Sequence, residues 1–345
     1  MKFIFMTDTH GRTNNPVSRK DNFPETILKK IEWVIDYANS KNAQILHGGD
    51  WVNRPDTSPA YISKMCKIFK KAKYPILGIL GNHDIYGYNP NTYYRTPLHI
   101  ASSCNAFSII GEDSININDS NVYISGANST GLLDKNGRTS EYYTPRKLIP
   151  KEEGEIRIHI VHGFLTDHSW PEGVPYTLID AVEDTDADIL LTGHEHTGYG
   201  IIKKCDTIFC NPGALGRVSA SVGDVNRFVQ IAEITVENGI YDVELVPLPE
   251  EIARPSDEVL DRAALEEEKA ANARIETFAQ QIEQINIDDE QSLSLNDTMA
   301  YIHQMLSGDE IDGIKITDAV RQMTLDYIGK AEQLENESRE KIKSE

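Results

Sequence analysis

The sequence predicts an α/β protein in which two mixed β-sheets are stacked and flanked by helices, with a helical appendage at the C-terminus. Two observations carry this prediction. Short apolar runs typical of buried strands alternate with helical periodicity over roughly the first 110 residues, and further strand-like runs continue to about residue 247. In addition, polar clusters containing glycine directly follow several of the predicted strands, as they do at the binding sites of open α/β sheets.

The first part of the chain supplies the alternating elements. Lys2–Met6 is apolar but too short for a signal-peptide core, so it predicts a buried first strand. Residues 22–40 place Ile27, Ile31, Val34, Ile35 and Ala38 at helical spacing. The remaining predicted elements here are a helix over 59–71 and strands over 44–47 and 76–80.

The second part is predicted to consist mainly of strands. They are assigned to 107–110, 115–117, 122–125, 156–161, 189–191, 200–202, 207–209, 228–235 and 241–246. Together with the first strands they are enough for two sheets, which predicts a first domain over residues 1–249.

Residues 250–345 are predicted to be a separate acidic helical region. They contain 10 Lys and Arg against 24 Asp and Glu, a net charge of −14 out of −20 for the chain. Three amphipathic helices are predicted within 256–334, with loops near 287–292 and 307–313. Their apolar stripes must be buried, either on the first domain or on a partner protein, and the acidic charge of this region argues against its being a nucleic-acid surface.

Composition predicts a cytoplasmic protein. No apolar run approaches the roughly 20 residues that cross a membrane, so no membrane association is expected. The four cysteines show no paired spacing and are predicted to be reduced thiols.

Five polar clusters follow predicted strands and carry the candidate chemistry. They are Asp8-Thr9-His10-Gly11, Gly48-Gly49-Asp50, Gly81-Asn82-His83-Asp84, Val161-His162-Gly163 and Gly193-His194-Glu195-His196. Carboxylate, imidazole and amide oxygen together suit Mn²⁺, Fe, Zn²⁺, Co or Ni. The glycines allow sharp turns and close backbone approach.

This ordered set resembles the calcineurin-like metallophosphoesterase family over about residues 1–247, and the resemblance implies the αββα metallophosphoesterase fold. It also implies two divalent metal ions that share Asp50. One ion would take Asp8, His10, Asp50 and His196, and the other Asp50, Asn82, His162 and His194. By the same resemblance His83 would face the substrate phosphate without binding metal, and we expect Asp84 to orient His83.

Other polar residues near the clusters are expected to play lesser roles. His47 and His159 are predicted to be buried in their strands, and His99 to lie on a helix. His168 follows His162 and could line the substrate cleft, whereas Glu195 is expected to face away from the ions.

Within the family, the layout is similar to the SbcD-type DNA repair nucleases. The similarity rests on the segments Trp51-Val52-Asn53-Arg54-Pro55 and Asn211-Pro212-Gly213-Ala214-Leu215-Gly216-Arg217 and on the strand pair that follows them. It implies DNA as substrate, Mn²⁺ as metal and an SbcC-like coiled-coil ATPase as partner. The chain departs from that pattern at Arg12, at Asn53, where relatives carry histidine, and in lacking a recognisable DNA-capping domain.

Three functions therefore remain open from the sequence. The first is a Mn²⁺-dependent DNA exonuclease or endonuclease, with the ATPase or a second copy of the chain as partner. The second is a phosphodiesterase or phosphatase for a small molecule or nucleotide, whose pocket residues 128–147 could wall. The third is a non-catalytic scaffold, which the intact ligand set and His83 oppose.

Overall fold

The computed structural model describes residues 1–111, 115–117, 120–135, 139–145, 151–171, 173–219, 221–261, 263, 310–311 and 314–315. The chain divides into two compact units, Met1–Glu268 and Lys269–Glu345. In the second unit the described residues form one small antiparallel strand pair. Within the described parts of the chain, no helix combines the length and apolarity needed to cross a bilayer.

The described strands and helices follow the predicted order closely. The strands are β1 Lys2–Met6, β2 Gln44–His47, β3 Ile76–Gly78, β4 Phe107–Ile109, β5 Ile115–Asn116, β6 Val122–Ala127, β7 Ile156–Val161, β8 Leu165–Thr166, β9 Thr177–Leu178, β10 Ile189–Thr192, β11 Gly200–Lys204, β12 Thr207–Asn211, β13 Gln230–Glu237, β14 Ile240–Pro247, β15 Glu310–Ile311 and β16 Ile314–Lys315. The α-helices are α1 Phe23–Lys41, α2 Pro59–Phe69, α3 Pro97–Ser103, α4 Thr139–Tyr142, α5 Val222–Asn226 and α6 Ser256–Val259. Short 3-10 helices lie at Asn82–Asp84, Pro90–Arg95 and Ile179–Ala181.

Two six-stranded mixed sheets form the first unit, as predicted. One has the strand order β14-β13-β1-β2-β3-β4 and the other β11-β12-β10-β7-β6-β5. In the first sheet β1 through β4 are parallel, and β13 and β14 are antiparallel additions. In the second, β6, β7, β10 and β12 are parallel. The carboxyl ends of the parallel strands in each sheet therefore lie at one edge, where binding sites of such sheets gather.

The sheets stack face to face because their strands are apolar on the facing side. One buried cluster contains Phe3 and Phe5 of the first sheet together with Ile158, Ile160 and Leu191 of the second. A separate cluster packs α1, α2 and α3 on the outer face of the first sheet. On the outer face of the second sheet, Tyr142 of α4, Leu165 of β8 and Ile179 of a 3-10 turn help to supply the cover. The predicted four-layer arrangement is confirmed, although its fourth layer is built from short segments.

Helix α1 shows how local sequence sets an element. Asn22 caps its start by accepting from the Glu25 backbone N–H, and Pro24 occupies the first turn, where a missing N–H costs nothing. Asn42 ends it in the left-handed conformation with φ of 55°. The residues predicted to face the core, from Ile27 to Ala38, are buried.

Residues just beyond the predicted boundary at 249 pack on the first unit. Val259 and Leu260 form a small buried cluster with Val225, and Leu260 bridges Arg19. The Lys20 backbone N–H also donates to the Val259 carbonyl. Nearly all of the predicted tail helices lie outside the described residues.

Candidate metal centre

The five polar clusters meet at one edge of the stacked sheets. Asp8 and His10 follow β1, Asp50 follows β2, and Asn82 opens the 3-10 turn after β3. His162 directly follows β7, and the remaining two histidines, His194 and His196, follow β10. Hydrogen bonds join the two sheets here, among them that of the His194 backbone N–H, which donates to Asp8 Oδ2 at 3.1 Å, and that of His162 Nδ1, which lies 2.8 Å from the Gly48 carbonyl oxygen.

Four of the predicted ligands have left-handed backbones. Their φ angles are 52° at Asp8, 45° at His10, 52° at Asp50 and 76° at His194. Non-glycine residues adopt this region at a cost, and such residues cluster at functional sites. The strand ends thus turn sharply so that successive side chains reach the same space, a feature that the residue types alone did not reveal.

One group of ligand atoms comes from Asp8, His10 and His196. The two Nε2 atoms of His10 and His196 are 3.0 Å apart. Asp8 Oδ1 lies 3.7 Å from His10 Nε2 and 3.5 Å from His196 Nε2, and Asp50 Oδ2 lies 3.6 Å from His10 Nε2. These four residues are the ones predicted for the first ion.

A second group comes from Asp50, His162 and His194, whose ligand atoms lie within 4.8 Å of one another. His162 Nε2 is 3.3 Å from Asp50 Oδ2 and 3.1 Å from Asn82 Oδ1. Asp50 therefore stands between the two groups, as predicted for a bridging ligand. The ligand atoms of a third set, His10, Asp50 and His83, also lie within 4.8 Å of one another.

Two observations indicate that this set of ligand atoms suits divalent ions. Asp50 Oδ2 is buried with no hydrogen-bond partner among the described residues, which is costly for a carboxylate unless a cation is supplied. The Gly48 carbonyl accepts from the Nδ1–H of His162, so Nε2 is the ring atom that faces Asp50 and would bind an ion once its proton is displaced. A carboxylate and an imidazole nitrogen that face each other in this way are typical of an ion site.

The protonation equilibria of the site reflect strong coupling between its charges. Burial lowers the pKa of His10 to about 3. Burial opposes the charged form of His162, but the negative charge of Asp50 outweighs it and raises the pKa of His162 to about 10. The His162 interaction likewise holds the pKa of Asp50 well below its usual range, against the effect of burial.

His83 lies beside the ligand groups but is held differently. Its Nδ1 is 2.7 Å from the Asn53 carbonyl oxygen, and its backbone N–H donates to Asp50 Oδ1 at 2.8 Å. The His83 and His10 rings meet edge to face at 4.8 Å between centroids.

The expected contact between Asp84 and His83 is wrong. The Asp84 carboxylate instead accepts from the backbone N–H groups of Gly81 at 2.8 Å and Val52 at 3.1 Å. It is fully buried, and burial together with the charge of Asp50 raises its pKa to about 8. Asp84 thus ties the Asn82–Asp84 turn to the loop after β2, while the Asn53 carbonyl takes the orienting role.

Two glycines are required by the close approach of the loops. A Cβ at Gly81 would lie 2.0 Å from Asp50 Oδ1. Gly49 has a φ of 97°, and a Cβ there would lie 2.6 Å from His162 Nδ1. Any side chain at either position would displace a predicted ligand.

Sequence reasoning missed the supporting contacts of Thr7 and Asn53. The Thr7 hydroxyl donates to Asp8 Oδ2 at 2.6 Å, and the Asn53 side-chain oxygen accepts from Arg12 Nη1 at 3.2 Å. Both are neighbours in sequence of named ligands or motif residues, so a search for side chains flanking each cluster would have found them.

The other histidines and Glu195 lie close to where they were predicted. His47 is buried and stacks on Trp51 with 3.7 Å between ring centroids, and His99 lies on α3. His159 is buried, and its Nδ1 is 2.8 Å from Ser125 Oγ. Glu195 accepts from the backbone N–H groups of the loop after it, turned away from the ion ligands.

Of the segment 128–147, Tyr143 is fully buried and donates to Asp134 Oδ1, so it cannot wall an open pocket. Arg138, Arg146 and Lys147, which also belong to that segment, lie outside the described residues. All four cysteines are free, in agreement with the sequence prediction.

Comparison with known proteins finds a family match for most of the first unit. The family model described as calcineurin-like phosphoesterase matches residues 1–198. A search of curated proteins found no match. Among solved structures, TT1561 of Thermus thermophilus is 10% identical, with a TM-score of 0.42, 71% of this chain covered and 98% of that one. A Vps29 single mutant from Entamoeba histolytica is 15% identical, with a TM-score of 0.35, 72% of this chain covered and 100% of that one. At these values the two structures indicate nothing about the activity of this chain.

Proposed function

Because this chain belongs to the calcineurin-like phosphoesterase family, we propose that it is a Mn²⁺-dependent two-metal phosphodiesterase acting on DNA. The observation that carries the proposal is the arrangement of the seven predicted ligands in two groups that share Asp50. Such a set supports a phosphoesterase hydrolase and opposes the alternative of a non-catalytic scaffold.

Each side chain has a defined part in this proposal. Asp8, His10, Asp50 and His196 would hold one ion, and Asp50, Asn82, His162 and His194 the other. When bound, the ions would supply Lewis-acid polarisation of the phosphate and lower the pKa of the attacking water. Four imidazoles among the ligands favour Mn²⁺, Fe, Zn²⁺, Co or Ni over Mg²⁺.

His83 is proposed to act on the leaving group. With Nδ1–H donated to the Asn53 carbonyl, its Nε2 is the atom free to hold and deliver a proton. Protonation of the departing oxygen by a positioned imidazole commonly contributes about 10²–10⁴-fold to rate. Asp84 contributes by holding the turn that presents His83 and Asn82.

The partner proposal concerns the acidic C-terminal region. We propose that the helices predicted in residues 250–345, a region with a net charge of −14, bind a protein partner, an SbcC-like coiled-coil ATPase, through their apolar stripes and acidic side chains. Since residues up to Asp261 pack on the first unit, the docking segment would begin after residue 268.

The direct test offers the purified, EDTA-treated full-length protein labelled single-stranded DNA, labelled duplex DNA and bis-p-nitrophenyl phosphate, each with Mn²⁺ or with Mg²⁺. We expect DNA cleavage with Mn²⁺ and less with Mg²⁺. Hydrolysis of the chromogenic ester without DNA cleavage would favour the small-molecule alternative. Equal activity in metal-free buffer would contradict the whole proposal.

A further inference from the structure

A row of aromatic rings leads outward from the candidate metal centre. The Phe164 ring meets the His194 ring edge to face at 5.7 Å between centroids. Trp170 lies 4.9 Å from Phe164, and His168 stacks on Trp170 at 5.9 Å with an interplanar angle of 28°. We refer to Phe164, Trp170 and His168 as the aromatic row.

The inner end of the aromatic row is firmly held. The Phe164 backbone N–H donates to Asp134 Oδ2 at 2.7 Å, and Asp134 Oδ1 accepts from the Tyr143 hydroxyl at 2.7 Å and from the Thr177 hydroxyl at 2.6 Å. Because Tyr143 is fully buried, this network fixes Phe164 relative to the core. The backbone that carries the Phe164 ring is therefore anchored, and the ring itself packs between His194 and Trp170.

The outer end of the aromatic row reaches solvent. The His168 side chain is 66% exposed, and Phe164 and Trp170 are only partly buried. The Trp170 indole nitrogen is buried and has no acceptor among the described residues, and the ring packs against Phe164 and His168. Large aromatic faces that are anchored at one end and open at the other are suited to stacking on a flat ligand.

We propose that the aromatic row stacks on the nucleobase next to the scissile phosphate, so that the substrate is a single-stranded or frayed nucleic acid whose base has left its duplex. This inference rests on the proposed phosphodiesterase function. His194 is a predicted ligand of the second ion, so the adjoining Phe164 ring lies where a base joined through one ribose to the bound phosphate can reach. Stacking accepts every base, because each has a π-face, and therefore gives affinity without sequence preference.

The experiment compares two esters that share the p-nitrophenyl leaving group. Thymidine 5′-(p-nitrophenyl phosphate) carries a base, and methyl p-nitrophenyl phosphate does not. Trp170→Leu is the test variant because its ring packs on Phe164 and His168 rather than on a predicted metal ligand. Tyr94→Leu is the matched control, since Tyr94 is 73% exposed and packs on Tyr93 and His99 instead.

We expect Trp170→Leu to raise KM for the thymidine ester by roughly 5- to 150-fold, from a stacking free energy of about 1–3 kcal/mol per base. KM for the methyl ester should stay unchanged within error, and Tyr94→Leu should change neither. Equal losses on both esters would show that the row is structural only. Unchanged values on both would also overturn the inference.

A binding measurement separates this inference from the proposed function. Thymidine monophosphate and oligo(dT) are titrated into the full-length protein while tryptophan fluorescence is followed. We expect quenching in the wild type that is lost in Trp170→Leu and retained in Tyr94→Leu. If the wild type hydrolyses neither ester but shows this quenching, the proposed function fails and the base site stands. If it hydrolyses both esters but shows no quenching, the base site fails alone.

Discussion

His10 and His196 direct their Nε2 atoms at each other across 3.0 Å, from loops that follow strands in different sheets. Asp8 Oδ1 lies within 3.7 Å of both nitrogens. A neutral imidazole has one donor and one acceptor nitrogen, so this convergence of lone-pair atoms on one point is what a shared cation requires. The relationship between two separate loops is the structural basis of the proposed metal centre.

His83→Ala should leave the metal content unchanged while lowering kcat by about 10²–10⁴-fold, because His83 is proposed to act on the leaving group. The Nδ1 atom of His83 is already hydrogen-bonded to the Asn53 carbonyl oxygen. Metal content by mass spectrometry after dialysis and single-turnover rates on labelled DNA, whose alkoxide leaving group needs a proton, are the measurements. His99→Ala, on α3, is the control and should behave as the wild type. Loss of metal in His83→Ala would make it a ligand instead.

Gly81→Ala should place a Cβ 2.0 Å from Asp50 Oδ1 and so displace the bridging carboxylate. Metal affinity should fall by about 10–100-fold, the usual cost of disturbing the residues that orient a ligand. Gly111→Ala is the matched control, since a Cβ there meets nothing within 4 Å. Isothermal titration with Mn²⁺ measures both. Equal affinities in the two variants would mean that the loop after β3 relaxes without disturbing Asp50.

His159 should titrate far below an ordinary histidine. Burial lowers its pKa to about 4, against a smaller opposing effect of the Tyr142 carbonyl. Since the folded pKa is depressed, the unfolded chain binds the proton first, and this residue's contribution to stability is lost as pH falls from about 6.5 toward about 4. Histidine ring resonances followed by NMR, assigned with His159→Asn, measure the pKa. A value at or above the ordinary one contradicts the burial argument.

Truncation after Glu268 should give a folded protein that retains activity on a small phosphodiester, because Met1–Glu268 is one compact unit. Truncation after Pro249 should lower the midpoint of thermal unfolding, since it removes Val259 and Leu260 from their buried contacts with the first unit. Circular dichroism melts of the two truncated proteins test this. An unchanged melt after removal of residues 250–345 would show that those contacts do not stabilise the unit.

Partner binding is read from the same two truncated proteins and from the full chain. The proposal expects that loss of residues 269–345 abolishes co-purification with the coiled-coil ATPase. Retained binding would show that the docking surface lies on the first unit instead.

The strand and helix pattern was predictable because burial imposes regular spacing. The apolar run of β1 and the α1 stripe from Ile27 to Ala38 both appear where the sequence placed them. Strand ends were less predictable. The strand predicted at 228–235 is Gln230–Glu237 in the structure. It begins later because Arg227 donates hydrogen bonds to the carbonyls of Ala214 and Gly216, and because the Phe228 side chain is 73% exposed.

The ligand types of the site were readable from the sequence, but their supporting contacts were not. Spacing in the chain brings Asp8 and His10 into one loop, whereas the approach of His196 to His10 depends on how two sheets stack. The error over Asp84 has the same origin. Adjacency to His83 suggested a side-chain contact, but the 3-10 turn points the carboxylate back to the Val52 backbone.

The central claim is that Asp50 joins two ions, and metal stoichiometry tests it most directly. Wild type and Asp50→Ala, both full length and stripped with EDTA, are equilibrated with Mn²⁺, dialysed and analysed for metal per chain. The proposed centre predicts two Mn²⁺ per wild-type chain and close to none in Asp50→Ala, because Asp50 Oδ2 lies beside His10 of one group and His162 of the other and is proposed to bind both ions. Wild type that retains no Mn²⁺, or Asp50→Ala that retains as much as wild type, would contradict it.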